Sequence, residues 1–360
     1  MKNRQTLILD RKTIEQLVDI KGAIQRVETV FRDYALGKAC MPSKVYLNLK
    51  KYAGDFRAMP AYSETLKACA VKWVNVHPLN KSKGLPTVMA VVILSDPQTG
   101  FPLSIMDGTY LTNLRTGAAG AVAAKYLARR DSSVISLVGC GAQARTQLAA
   151  LLAIFRITQV RLWAHQTSYV KSFIIDLLST KKNDKSPDAV DKRGRRFIIS
   201  KEKVNKEIWS RKVAFYPAKT VEDCVKGGDI VVTTTPSRQP LVQYSWLKKG
   251  AHINAIGADA KGKQELAISI LKHAKVVIDD WPQASHSGEI NVAVSKGLIR
   301  KKDIYADLGS IVAGRKEGRT DPDEFTVFDS TGLAIQDVAV ADLIYKTALK
   351  RKKGKWVQLL

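Results

Sequence analysis

Apolar positions change their spacing twice along the chain, and each spacing predicts a different kind of element. The opening run Thr6 to Leu9 predicts a short strand. Thr13 followed by Gln16 fits a helix capping box, and Ile24, Val27, Phe31 and Tyr34 continue at helical spacing until Gly37 offers a stop. From Pro42 to Leu103 the pattern breaks into short apolar runs, Val45-Tyr46-Leu47, Ala68 to Val76 and Thr87 to Leu94, with turns at Gly54, Gly84 and Pro97-Gln98-Thr99-Gly100. That stretch reads as an antiparallel sheet.

Beyond Asp107 the rhythm becomes strand, helix, strand, helix. A helix from Leu111 to Ala128 precedes the strand Val134 to Val138, and Gly139-Cys140-Gly141-Ala142-Gln143-Ala144 opens the next helix, which ends near Phe155. Further strands are expected at Val160 to Trp163, Asp229 to Thr233, His252 to Ile256, Val276 to Asp279 and Phe325 to Phe328, with a last helix from Gln336 to Ala348. This alternation belongs to an α/β fold with a doubly wound parallel sheet.

Composition narrows the class. The 360 residues are enough for about two domains, and 45% hydrophobic with 25% charged residues is ordinary globular usage. The longest apolar stretches, Val88 to Leu94 and Leu148 to Phe155, fall far short of the roughly 18 residues of a spanning helix. Leu7-Ile8-Leu9 is cut off by Asp10, too short for the core of an export signal, so a cytoplasmic protein is expected. Cys40, Cys69, Cys140 and Cys224 have no CxxC spacing, and the five histidines form no ligand pair, so neither a disulfide framework nor a metal site is expected. The formal charge of +25 is concentrated. Residues 181 to 212 carry twelve Lys and Arg against five acids, and Lys346 to Lys355 adds six bases and no acid. The first segment interrupts the strand and helix rhythm and reads as a basic surface insertion. With the remainder only moderately basic, nucleic-acid binding is not the expected role.

Several residues stand where chemistry is done. Gly139 permits a tight turn, Gly141 close approach to a pyrophosphate, and Ala144 helix packing, the pattern of a dinucleotide site at a helix N-terminus. An acid normally follows the second strand to bind the ribose of NAD. Here Ala164-His165-Gln166-Thr167 stands instead, and His165, Thr167 or Lys171 could meet a 2′-phosphate, so NAD and NADP both remain open with a lean to NADP. Lys72 interrupts an apolar strand, and on pattern alone an outward-facing strand lysine is the favoured reading. Arg115 lies among small residues on a helix, where a surface position would be ordinary. Asp259 follows the strand His252 to Ile256, at the carboxyl end where open α/β sheets place ligands, although a loop or capping aspartate fits too.

Six ordered motifs, Met41-Pro42-Ser43-Lys44, Gly54-Asp55-Phe56-Arg57-Ala58-Met59-Pro60, Lys72-Trp73-Val74-Asn75-Val76-His77-Pro78, Leu114-Arg115-Thr116-Gly117-Ala118, Gly139-Cys140-Gly141-Ala142-Gln143 and Ile253 to Leu266, resemble the ornithine cyclodeaminase and mu-crystallin family. Within it the chain looks most like the archaeal-type alanine dehydrogenases. The resemblance implies a Rossmann dinucleotide-binding domain at 116–330 and a smaller α+β substrate-binding and dimerisation domain at 1–115 with 331–360. It further implies a substrate pocket between the two domains. Lys72 and Asp259 would be the acid and base, and Arg115 with Lys44 would clamp a substrate carboxylate. Thr116, Gly139, Gly141, Ala142, Gln143, His165, Thr234 and Thr235 would hold NAD or NADP.

In the family's cyclodeaminases a glutamate before Met-Pro binds the distal amine of ornithine. Arg57 occupies that position here and would repel a second ammonium, so alanine and pyruvate with ammonia fit better than ornithine. The expected activity is an NAD(P)-dependent amino-acid dehydrogenase, with proline-forming cyclodeamination, ketimine reduction or nucleotide-dependent binding as alternatives. The expected assembly is a homodimer whose first-domain sheets meet.

Overall fold

The computed structural model describes residues 5–178, 208 and 210–359. Nearly all of the expected insertion at 181–212 lies outside the described residues. The described residues divide into two compact units, one of those up to Arg115 and from Leu333 onward, the other of those between Thr116 and Gly332.

The first unit holds a mixed sheet ordered Lys355–Val357, Thr6–Leu9, Pro102–Asp107, Val88–Ser95, Ala68–Val76, Gly54–Ser63 and Ala39–Cys40, with Val45–Leu49 also paired to Gly54–Ser63. The stretch from Pro42 to Leu103 pairs antiparallel throughout, as its pattern predicts, and the sheet becomes mixed because Thr6–Leu9 joins it parallel to Pro102–Asp107. Alternation along the strands separates two faces. Met59, Ala61, Ala70, Lys72, Val74, Val92 and Leu94 are buried on the inner one. The helix Ala334–Arg351 packs on that face and against Ile20–Ala35.

The start of the first helical region differs from expectation. Asp10, not a Thr13–Gln16 capping box, begins it by accepting a 2.8 Å bond from the Thr13 amide, and the helix Arg11–Leu17 stops at the extended Val18. Asp19 then caps Ile20–Ala35 by accepting from the Gly22 amide at 2.9 Å. A carboxylate one residue before a helix satisfies an otherwise open N-terminal amide, which explains the two starts. Gly37 follows the second helix at φ 75°, where an L side chain would be strained.

The second unit is an all-parallel sheet ordered Ala214–Pro217, Gln159–Trp163, Val134–Val138, Ile230–Thr233, His252–Ala255, Thr326–Asp329, Lys275–Ile278 and Ala306–Asp307. Ala214–Pro217 and Ala306–Asp307 were not anticipated, being edge strands of four and two residues. Apolar layers cover both faces, one built on Ile135, Leu137, Val160 and Val232, the other on Val138, Val231, Ile253 and Val327. Burial on both faces is why these strands read as continuous aliphatic runs. Strand order reverses between Val134–Val138 and Ile230–Thr233. Among the described residues no helix is long and apolar enough to cross a membrane, and no His, Cys, Asp and Glu cluster is arranged to hold a metal.

Candidate active site

Lys72 lies on Ala68–Val76 opposite Met59 on one neighbouring strand and Val92 on the other, and is only 1% exposed. The outward reading favoured by pattern alone is therefore wrong. Its flanking residue Trp73 takes the other face and is 45% exposed. A buried ammonium needs a partner, and Asp337 provides it, with Lys72 Nζ 2.9 Å from Oδ1 and 2.8 Å from Oδ2.

The same carboxylate holds a second cation. Arg115 Nε donates to Asp337 Oδ1 at 3.1 Å, and an Arg115 terminal nitrogen donates to Gln336 Oε1 at 3.0 Å. Arg115 is buried too, so the surface reading of its helix position fails. Gln336 and Asp337 sit in the first turn of Ala334–Arg351, where the helix dipole favours a negative charge. Burial first, then the Arg115 guanidinium, pushes the Lys72 amine down to about 7, against the pull of Asp337; Lys44 adds to the lowering. A lysine so placed gives up or takes a proton near neutral pH.

Arg57 is buried on the same strand face, at the register position opposite Val74. Its guanidinium is already engaged: Nε donates to Asp55 Oδ1 at 2.8 Å, a terminal nitrogen reaches Asp55 Oδ2 at 3.3 Å, and the carbon lies 5.2 Å from the Tyr46 ring centroid. The repulsion argued from Arg57 alone is thus weakened. Around Lys72 the balance remains positive, because Arg115 and Lys44 face the single carboxylate of Asp337.

In the second unit, Gly139 follows Val134–Val138 at φ 110°. A Cβ there would meet Thr234 Oγ1 at 2.7 Å, so glycine is required both by backbone and by space. Thr234 Oγ1 donates to the Gly139 carbonyl at 3.3 Å, joining the ends of the two strands at which the order reverses. Gly141 caps the helix Ala142–Ile154 with no side-chain bond, and a Cβ on it would meet nothing within 4 Å. At this helix start Ala142 is exposed and Gln143 half-buried, and a helix N-terminus of this kind suits a phosphate. Thr116 is buried and its carbonyl accepts from Gln147 Nε2 at 2.9 Å, while His165 is exposed after Gln159–Trp163. Thr235 donates its amide to Glu265 Oε1 at 2.6 Å. Asp259 pairs with Lys263 at 2.5 Å.

Asp337, Gln336, Asp55 and Glu265 were missed as site residues. A signal existed for the first two: a Gln-Asp pair inside Leu333-Ala334-Ile335-Gln336-Asp337-Val338-Ala339-Val340 is polar within an apolar helix. Asp55 and Glu265 stood inside motifs without an assigned role.

A glycine-bounded helix start without a side-chain cap, at the switch point of a doubly wound sheet, defines a Rossmann-type dinucleotide-binding protein. The chain belongs to the ornithine cyclodeaminase/mu-crystallin family, whose profile matches residues 4–184 and 198–352. It is 49% identical to the alanine dehydrogenase of Archaeoglobus fulgidus over 354 residues, covering 98% of each chain. Among solved structures it is similar to an archaeal alanine dehydrogenase dimer with bound NAD, at 47% identity and a TM-score of 0.87 over 99% of this chain and 100% of that one. It is also similar to the Thermococcus litoralis Delta(1)-pyrroline-2-carboxylate reductase in complex with NADH and L-proline, at 33% identity and a TM-score of 0.86 over 98% of this chain and 100% of that one.

Proposed function

We propose that this protein is an NAD-dependent alanine dehydrogenase, interconverting L-alanine with pyruvate and ammonia through an imino acid. The observation that carries the reading is the buried cluster in which Asp337 holds Lys72 and Arg115 side by side. The identity to the Archaeoglobus fulgidus enzyme supports the choice of substrate.

Arg115, steadied from behind by Asp337 and Gln336, binds the substrate carboxylate with its remaining donors, and Lys44 adds charge. Lys72 donates a proton to the carbonyl or carbinolamine oxygen during amination and takes it back during deamination. Asp259 orients ammonia or water and moves the second proton. NAD, when bound, supplies the hydride acceptor and, once reduced, the donor. Gly139, Gly141, Ala142, Gln143 and Thr234 frame the open helix start that suits its pyrophosphate, and Thr116, His165 and Thr235 are its other assigned contacts. NAD is preferred over NADP because the solved relatives hold NAD or NADH, although no acid follows Trp163.

The excess of cations around Lys72 disfavours a substrate with a second ammonium, which argues against ornithine. A cytoplasmic location accords with the four free thiols. The assembly is a homodimer through the outer face of the first sheet, where Val45, Leu47, Tyr62, Trp73, Val91 and Ile93 are exposed together.

Variants Lys72→Ala and Asp259→Ala test the assignment. Each should lose about 10²- to 10⁴-fold in kcat, the usual worth of an acid or base, while binding NADH within threefold of the parent. A fully active Lys72→Ala enzyme would contradict the assigned chemistry.

A further inference from the structure

Three buried carboxylates form a ladder through the second unit, each holding the backbone of the next. Asp329, at the end of the interior strand Thr326–Asp329, accepts from the amides of Glu289 at 2.8 Å and Ile290 at 3.1 Å. Glu289 accepts from the amide of Glu265 at 2.8 and 3.0 Å and from that of Leu266 at 2.7 Å. Glu265 accepts from the Thr235 amide at 2.6 Å through one oxygen and from the Gly257 amide at 2.9 Å through the other.

The last rung therefore ties together two loops. One follows Ile230–Thr233 and carries Thr234 and Thr235; the other follows His252–Ala255 and carries Asp259, two residues beyond Gly257. The fit leaves no slack: a Cβ on Gly257 would collide with the Thr235 carbonyl and with Glu265 Oε2. Among the described residues neither Glu265 nor Glu289 has an ion-pair partner, and both are fully buried. Burial raises both acids, and Glu265 pushes Glu289 up further. An arrangement that costs stability in this way needs a reason, and the chemistry supplies one. A carboxyl group offers an acceptor oxygen to each of two amides arriving from different loops, whereas a carboxamide offers one acceptor and turns a donor toward the other amide.

We propose that Glu265, held in place by Glu289 and Asp329, is a positioning residue that sets the cofactor loop at Thr234–Thr235 and the Asp259 loop at one fixed spacing. This rests on the reading of Asp259 as a proton carrier and of Thr234–Thr235 as cofactor contacts. It adds three acids that the chemistry itself does not touch.

Glu265→Gln and Glu289→Gln in the full-length protein test it, with amide hydrogen exchange at Thr235 and Gly257, NADH affinity by fluorescence, and kcat and KM for pyruvate amination. Whichever way the new carboxamide turns, one amide loses its acceptor. The expected result for Glu265→Gln is faster exchange at Thr235 or Gly257, with kcat down at least tenfold or the NADH Kd up at least fivefold, and the pyruvate KM within threefold. Glu289→Gln, one rung away, should shift the same quantities by threefold or more, and decides the matter should Glu265→Gln not fold. A folded variant with a lower melting temperature but unaltered exchange, NADH affinity and kcat per NADH-binding site would reduce the ladder to a structural role and overturn the proposal. Were the parent protein inactive on alanine and pyruvate, the dehydrogenase reading would fall, while amide exchange and NADH affinity would still decide the ladder.

Discussion

Asp337 stands between two buried cations, and its removal leaves them facing each other with no counter-charge. Taking away one partner of a buried ion pair costs on the order of 3–5 kcal/mol of stability, so Asp337→Asn should melt well below the parent. The catalytic signature is separate. Asp337 favours the ammonium form of Lys72, against burial and Arg115, which together hold the amine at about 7. With the neutral amide in its place, that amine falls further. If Lys72 donates its proton during amination, kcat/KM for pyruvate falls with rising pH from near 7 in the parent, and from a lower pH in Asp337→Asn. A profile that does not move would remove Lys72 from the role of acid. This cluster was only half legible in the sequence. Lys72 and Arg115 stood out through family motifs, but the strand pattern misled, because Val71 and Trp73 on the exposed face are as apolar as a core. Their partner lay 222 residues from Arg115 along the chain, a distance that no local pattern spans.

Elements bounded by strong local chemistry were the readable ones. Val134–Val138 and the glycine turn after it follow directly from an aliphatic run and two glycines, and Ala142–Ile154 follows from them. Gly54–Ser63 was harder to see: its Arg, Asp, Met and Pro obscure the alternation, and its identity as a strand comes from nine cross-strand partners on Ala68–Val76. The glycine turn makes a prediction of its own. Gly139→Ala would force a methyl group into Thr234 at a φ of 110°, a strain of about 1–3 kcal/mol. The NADH Kd should rise at least tenfold by fluorescence titration, with the far-ultraviolet dichroism preserved; unchanged affinity would place the pyrophosphate elsewhere.

At the scale of the molecule, charge and exposed apolar surface call for different explanations. About half of the excess base lies in two segments, residues 181 to 212 and Lys346 to Lys355. The outer face of the first sheet is another matter, since exposed Val45, Trp73, Val91 and Ile93 share it, Trp73 lies in register with Val91, and Phe56 stacks on Trp73 at 5.2 Å. In the proposed homodimer a second copy would cover that face by two-fold symmetry. Trp73→Glu with Val91→Glu should sediment as a monomer where the parent sediments as a dimer, and a dimeric variant would move the interface to another surface. The α/β class and the second sheet's main strands were accessible from sequence because both faces of that sheet are apolar, whereas its short edge strands carried too few residues to register. The most direct test of the whole account is the absorbance of NADH at 340 nm with purified protein, pyruvate and ammonium, beside NAD with ornithine. The expected result is loss of NADH that requires both pyruvate and ammonium, with stoichiometric L-alanine and no proline from ornithine. No loss of NADH with pyruvate, together with proline formed from ornithine, would contradict it.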